Sequence, residues 1–348
     1  MAGKLIVVVG GQFGSEGKGS IVGYLARTEP KKVLVIRVGG PNAGHTVYDH
    51  GRRYAMRQVP VGFVNPRASL AIGPGSEIDE NVLHNEVQNL EHAGFLIRDR
   101  LYIDPSATIL EPSHIAQGEQ QRRRGSTGKG VGVVRAERVR RRAETVRDQE
   151  TIWPGILFPV QDLAAQWLRQ GGTVIVEGTQ GYGLGLHTPY YPFTTSGDCT
   201  AIDMLAQAQI PPWTAHNGLQ VWVVLRTHPI RVAGDSGPLW DETSWEQLAG
   251  ETDGHVEPEY TTVTQKERRV GRWDMALAQT AIQRNGGPPS VRVALTMFDY
   301  WHPLAAGAIS WPEASLDMRE RVDKLEQELG ARIELVGTGP DTIIDRRP

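Results

Sequence analysis

Two glycine-rich stretches carry most of the chemistry this sequence can offer. The first, Gly10–Ser20 (GGQFGSEGKGS), follows the apolar run Leu5–Val9. A loop of this kind between a buried strand and a helix turns backbone N–H groups toward phosphate oxygens, and Lys18 adds a point charge. Its spacing departs from the usual phosphate loop. Five residues separate Gly11 from Gly17, and Gly19 rather than Ser or Thr follows Lys18. The second stretch, Gly39–Thr46 (GGPNAGHT), comes directly after the run Val33–Val38. A histidine in such a loop can donate to a developing charge or move a proton. A single histidine is more often structural, but two such loops after neighbouring strands raise the functional odds. A third stretch, Gly125–Gly132 (GSTGKGVG), lies inside an arginine-dense segment from Arg122 to Arg147. A solvated helix face is the ordinary reading of such a charge run. A nucleic-acid patch lacks interleaved aromatics for stacking. Backbone N–H groups, two hydroxyls and a lysine close together suit a small phosphate.

These loops need a scaffold. Short apolar, β-branched runs recur at Leu5–Val9, Val33–Val38, Val174–Val176, Leu219–Leu225, Val291–Leu295 and Ile333–Val336. Several are apolar on both faces, as in a covered parallel strand. Helical patterns lie between them at Ser20–Arg27, Asp79–His92 and Leu316–Leu329, the last with Gly330 as a stop. The alternation predicts an α/β fold, a mostly parallel central sheet with helices on both faces. The loops after the strands then gather at one edge, where ligands bind. No repeat or linker divides the chain, so residues 1–348 read as one domain with long functional loops.

The bulk numbers exclude other classes. With 39% hydrophobic and 22% charged residues the chain reads as an ordinary soluble globular protein, and its net charge of −3 argues against general polyanion binding. Cys199 is the only cysteine, so no intrachain disulfide is possible, and a reducing compartment, the cytoplasm, is expected. The run at 5–9 is too short for a membrane span.

Seven stretches together resemble the adenylosuccinate synthetase family: Gly10–Ser20, Gly39–Thr46, Gly125–Gly132, Glu177–Gly181, Tyr191–Ser196, Thr261–Asp274 and Gly337–Asp341. They occur in the family's order from one end of the chain to the other. The resemblance implies a ligase that moves a γ-phosphoryl group onto the O6 of a 6-oxopurine nucleotide. The amine of L-aspartate then displaces phosphate at C6. It implies Mg²⁺, held by Ser15 and the Gly44 carbonyl, and catalytic roles for Ser15, Lys18 and His45. The triphosphate would lie against Gly14, Ser15, Glu16, Gly17, Lys18, Gly19, Ser20, Gly44, His45, Thr46 and Arg268. Its base would meet Met297, Asp299, Gly337, Thr338, Gly339 and Pro340. The monophosphate nucleotide would meet Ser15, Asn42, Ser126, Thr127, Gln180, Thr195 and Lys266. Arg141 would reach its phosphate from the partner of a homodimer. Thr262, Val263, Thr264 and Arg268 would capture aspartate, the guanidinium fork suiting a carboxylate.

Two departures from the family matter most. The family has aspartate where this chain has Ser15; that aspartate removes the purine N1 proton and binds Mg²⁺. A serine hydroxyl is no base at neutral pH without a helper. The chain could be an inactive relative, an enzyme with a displaced base, or one whose substrate differs beside N1. The third is preferred: the shorter side chain frees space beside C2, where guanine carries an amino group. Phe13 with Ser15 is similar to a viral branch of the family that uses dGMP on the route to diaminopurine in viral DNA, which would place the protein in a phage-infected host cell. A water, a nucleotide phosphate or the Ser15 hydroxyl could then take the N1 proton. The second departure is Met297, where the family has a lysine that packs on guanine of GTP. It implies ATP or dATP in place of GTP. Ordinary synthesis from IMP is the runner-up, and a nucleotide switch without ligase activity the reading from another class.

Overall fold

The computed structural model describes residues 3–149, 153–215, 218–261 and 266–347. The β-branched run Lys4–Gly10 is buried along nearly its whole length, because it lies inside a ten-stranded sheet covered on both faces. From one edge to the other the strands run Ile343–Asp345, Ile333–Gly337, Val291–Thr296, Leu219–Arg226, Lys4–Gly10, Thr173–Glu177, Val33–Arg37, Ser69–Ile72, Leu101–Ile103 and Ile156–Leu157. Every neighbouring pair is parallel except the first, which is antiparallel. All six strands expected from the sequence are present and adjacent. The short strands Ser69–Ile72, Leu101–Ile103, Ile156–Leu157 and Ile343–Asp345 extend the sheet beyond them.

Alternation along each strand splits the core into two layers. Leu5, Val7 and Val9 join one layer with helices Val160–Arg169, Ala201–Ala208, Met275–Arg284 and Leu316–Leu329. Ile6 and Val8 join the other, under helix Lys18–Thr28 with its Ile21, Val22 and Leu25. Each such fully buried aliphatic side chain contributes about 1.5–3 kcal/mol of transfer free energy. The expected helix stop at Gly330 is also seen. Asp79 caps Glu80–His92 by accepting from the Val82 N–H at 3.2 Å, and Gly330 ends Leu316–Leu329 at φ 66°.

Parallel pairing brings one set of strand ends to a single sheet edge. The loops after Gly10, Arg37, Glu177, Arg226, Thr296 and Gly337 therefore converge there. At the end of the loop that follows Val33–Arg37, His45 opens a separate hairpin, His45–Asp49 against Arg52–Met56. Among the described residues no helix is long and apolar enough to cross a membrane.

Candidate active site

A cavity of about 810 Å³ opens at the convergent sheet edge. It is lined by Gly14, Ser15, Gly17, Lys18, Gly19, Ser20, Asn42, Gly44, His45, Thr46, Ser126, Thr127, Gln180, Thr195, Lys266, Arg268, Met297, Asp299, Gly337, Gly339 and Pro340. Residues from eight separate sequence stretches thus meet around one volume large enough for more than one small ligand. Thr262, Val263 and Thr264 lie outside the described residues. Thr261 and Lys266 on either side hold the loop ends together, through Thr261 N–H to the Lys266 carbonyl (2.9 Å) and Lys266 N–H to Thr261 Oγ1 (3.1 Å).

Two residues expected to touch ligands, Glu16 and Thr338, are placed elsewhere. Glu16 is fully buried and turned under the loop. Its Oε1 accepts from the N–H groups of Gln12 (3.0 Å) and Gly14 (2.9 Å), and its Oε2 from Lys18 Nζ (2.6 Å). Glu16 therefore shapes the loop and holds its lysine. Room for that carboxylate comes from Gly181, where a Cβ would approach Glu16 Oε1 to 2.2 Å. Thr338 is also fully buried, and its hydroxyl donates to the Ala308 carbonyl at 2.6 Å. Arg141 is exposed and outside the cavity. The helix packing explains Gly19 as well: a Cβ there would stand 2.5 Å from the Thr46 carbonyl oxygen, so neither Ser nor Thr fits after the lysine.

Ser15 stands at the loop's apex in the left-handed region, φ 59°, and is exposed to the cavity. Its carbonyl accepts from Arg226 Nη1 at 3.1 Å, and its hydroxyl makes no hydrogen bond among the described residues. His45 is only 6% exposed. Its Nδ1 pairs with Glu177 Oε1 at 2.6 Å, and Arg37 binds the same oxygen. Glu177 Oε2 accepts from the Val61 N–H at 2.9 Å. Burial alone would raise the Glu177 carboxyl, but the charge of Arg37 and the bond from His45 hold it below the usual carboxylate range. With that oxygen ionised, Nδ1 carries the donated proton and Nε2 is the ring's remaining polar atom.

The family model of adenylosuccinate synthetase fits the chain over residues 7–152 and 143–305. The chain belongs to the adenylosuccinate synthetase family. An adenylosuccinate synthetase of Pyrococcus sp. is 36% identical over 351 residues, covering 98% of each chain. That of Methanocaldococcus jannaschii is 35% identical over 339 residues, covering 96% of this chain and 94% of its own. Among solved structures, the cyanophage S-2L succinoaminodeoxyadenylate synthetase bound to dGMP and dATP as an energy donor superposes with a TM-score of 0.82. It is 27% identical and covers all of this chain and 97% of its own. The Plasmodium falciparum adenylosuccinate synthetase, 18% identical with a TM-score of 0.83, shares the fold. The protein is therefore a carbon–nitrogen ligase of the adenylosuccinate synthetase type.

In this synthetase several residues that sequence reasoning passed over complete the site. Glu177 opened one of the family-like stretches, yet nothing local shows that it faces His45, 132 residues away. Arg226 is wholly buried, ion-paired to Glu259, and Glu259 lies 3.6 Å from Arg268. The loop Gly11–Gly17 and the loop that carries Arg268 thus share one buried arginine. Arg231 stacks 3.8 Å from the Phe13 ring centroid and lines the cavity.

Burial, aided by the Arg37 charge, lowers His45 to about 4, and burial with Arg226 does the same for His228. Both are neutral in the folded protein at pH 7, while an unfolded imidazole titrates near 6.5. Between those values the unfolded chain binds more protons, so stability rises with pH. Urea unfolding of the synthetase is expected to show stability lost as pH falls from about 6.5 to 4, by up to roughly 3 kcal/mol per histidine. The His228→Gln chain should show a shallower slope in that window; an unchanged slope would contradict the assignment.

Proposed function

We propose that this ligase joins the amine of L-aspartate to C6 of dGMP, with ATP or dATP as phosphoryl donor. The product is N6-succino-2-amino-2′-deoxyadenylate, for diaminopurine DNA synthesis. The observation that carries this reading is Ser15: exposed to the cavity, unpartnered at its hydroxyl among the described residues, and standing where the family has aspartate. Its short side chain leaves open the space beside C2 that a purine 2-amino group needs. The structural neighbour described with dGMP and dATP supports the reading. The archaeal relatives, named adenylosuccinate synthetase, favour a second one: IMP and GTP, in a chain with a displaced base.

In the proposed reaction O6 of dGMP attacks the γ-phosphorus and the nucleoside diphosphate leaves. The aspartate nitrogen then attacks C6, and phosphate departs. Lys18 and the N–H groups at the start of helix Lys18–Thr28 stabilise the phosphoryl charge. Lys18 is shared with Glu16, so its ammonium is already oriented before ligands arrive. His45 presents Nε2 toward the reacting oxygens, with its ring fixed through Nδ1 by Glu177. Asn42, Gln180 and Thr195 contact the monophosphate nucleotide, and Ser126 with Thr127 hold its phosphate. Arg141, exposed and outside its own cavity, completes the phosphate site of a second subunit in a homodimer. Lys266 lies by the sugar, and Arg268 with Thr262–Thr264 holds aspartate.

No group of three or more acidic, histidine or cysteine side chains among the described residues forms a metal cage. A phosphate-bound Mg²⁺ needs no such cage, because it keeps waters and substrate oxygens and takes only one or two protein oxygens. The Ser15 hydroxyl and the Gly44 carbonyl offer such hard donors, and a Cβ at Gly44 would meet nothing within 4 Å, so space is open there. Bound Mg²⁺ would neutralise charge between the β- and γ-phosphates.

The test is product mass. Protein, aspartate, Mg²⁺ and ATP are incubated separately with dGMP, GMP and IMP. An aspartate-dependent succinyl product from dGMP is expected; turnover with IMP alone would overturn the proposal.

A further inference from the structure

Asp299 lies in the turn Phe298–Tyr300 that follows the strand Val291–Thr296, and it lines the cavity beside Met297. Its two carboxylate oxygens differ. Oδ2 pairs with His255 Nε2 at 3.1 Å. Oδ1 is buried and meets no donor among the described residues, in a residue only 7% exposed. A buried carboxylate oxygen left without a donor is costly, so this atom is a site for a ligand N–H.

We propose that His255 restricts the phosphoryl donor to adenine nucleotides by engaging one oxygen of Asp299. The inference rests on the reading of this end of the cavity as the site of the triphosphate's base. Guanine presents N1–H and a 2-amino N–H side by side, a pair that two free carboxylate oxygens satisfy together. Adenine presents one amino group on the equivalent edge, next to a ring nitrogen that is itself an acceptor. A second free oxygen there would face that acceptor and repel it. With Oδ2 bound to His255, the single free Oδ1 matches the single amino group.

Met297 points the same way. Its side chain has no donor for a guanine 6-oxygen, and its sulfur instead accepts from Thr296 Oγ1 at 3.4 Å. The backbone at Met297 is fixed at φ 53°, with its carbonyl accepting from Thr227 Oγ1 at 2.7 Å. His255 is set just beyond helix Trp245–Glu251 by its own N–H to the Thr252 carbonyl at 3.0 Å. It does not line the cavity and acts through Asp299, so it is a positioning residue.

The test is binding of non-hydrolysable ATP and GTP analogues to the full chain by calorimetry. No monophosphate is present, so the result does not depend on whether dGMP is the second substrate. The unaltered protein is expected to bind the ATP analogue more tightly. His255→Ala frees Oδ2 and should cut the adenine-over-guanine ratio by roughly tenfold, the effect of one hydrogen bond to a charged group. His255→Gln, which keeps an N–H donor, should restore the ratio. Thermal melting checks that both variants fold; the His255 side chain is 31% exposed, so its loss opens no core cavity. A guanine preference in the unaltered protein, a ratio unmoved in His255→Ala, or no binding of either analogue would overturn the proposal. Failure of the dGMP reading alone would appear instead as IMP-only product with the ATP preference intact.

Discussion

Ser15→Asp is expected to raise kcat/KM for IMP by roughly 10²–10⁴, the range that a positioned general base contributes, and to raise it less for dGMP. The change restores a carboxylate beside N1 and fills the space beside C2. IMP, with hydrogen at C2, gains the base at no steric cost. dGMP gains the same base but meets a bulkier group at its amino substituent. The backbone favours the experiment. Ser15 lies at φ 59°, where aspartate is among the side chains that enter most readily, and it is exposed, so the variant should fold. Steady-state kinetics with both nucleotides check the result. A ratio that stays within a factor of a few would mean that this residue does not select the purine.

His45→Asn is expected to lower kcat by roughly 10²–10⁴ while leaving the melting temperature nearly unchanged. An asparagine amide keeps a donor near Glu177 but cannot change protonation state. That second property matters because burial and Arg37 hold the imidazole at about 4, neutral before ligands arrive. A bound triphosphate brings several negative charges beside the ring and favours the imidazolium. Nucleotide binding near pH 7 should therefore take up close to one proton in the unaltered protein, and clearly less in His45→Asn. Calorimetry in buffers of different ionisation enthalpy measures this directly. Equal uptake in both proteins would place the titrating group elsewhere.

The central strands were readable because each is a dense β-branched run buried on both faces. The short strands toward one margin were not: Ile156–Leu157 and Leu101–Ile103 are too short to show a period, and only their pairing makes them strands. The loops that line the cavity were legible from their glycines and their position after strands. What those loops do internally was not. Glu16 resembles a ligand-binding residue in sequence, and it turns inward because Gly181, far along the chain, leaves room for its carboxylate. The partnership of His45 with Glu177, and of Ser15 with Arg226 211 residues away, are facts of the sheet order. No local pattern encodes them. His255 was invisible for the same reason: its meaning comes only from the one oxygen of Asp299 that it engages.

The most direct test of the selectivity assigned to Ser15 is a one-pot competition. Equal concentrations of dGMP and IMP, with aspartate, Mg²⁺ and ATP, are sampled at low conversion, and the two succinyl products are quantified by mass. A product pool dominated by the 2-amino nucleotide is the expected result. A pool dominated by the product of IMP would contradict it.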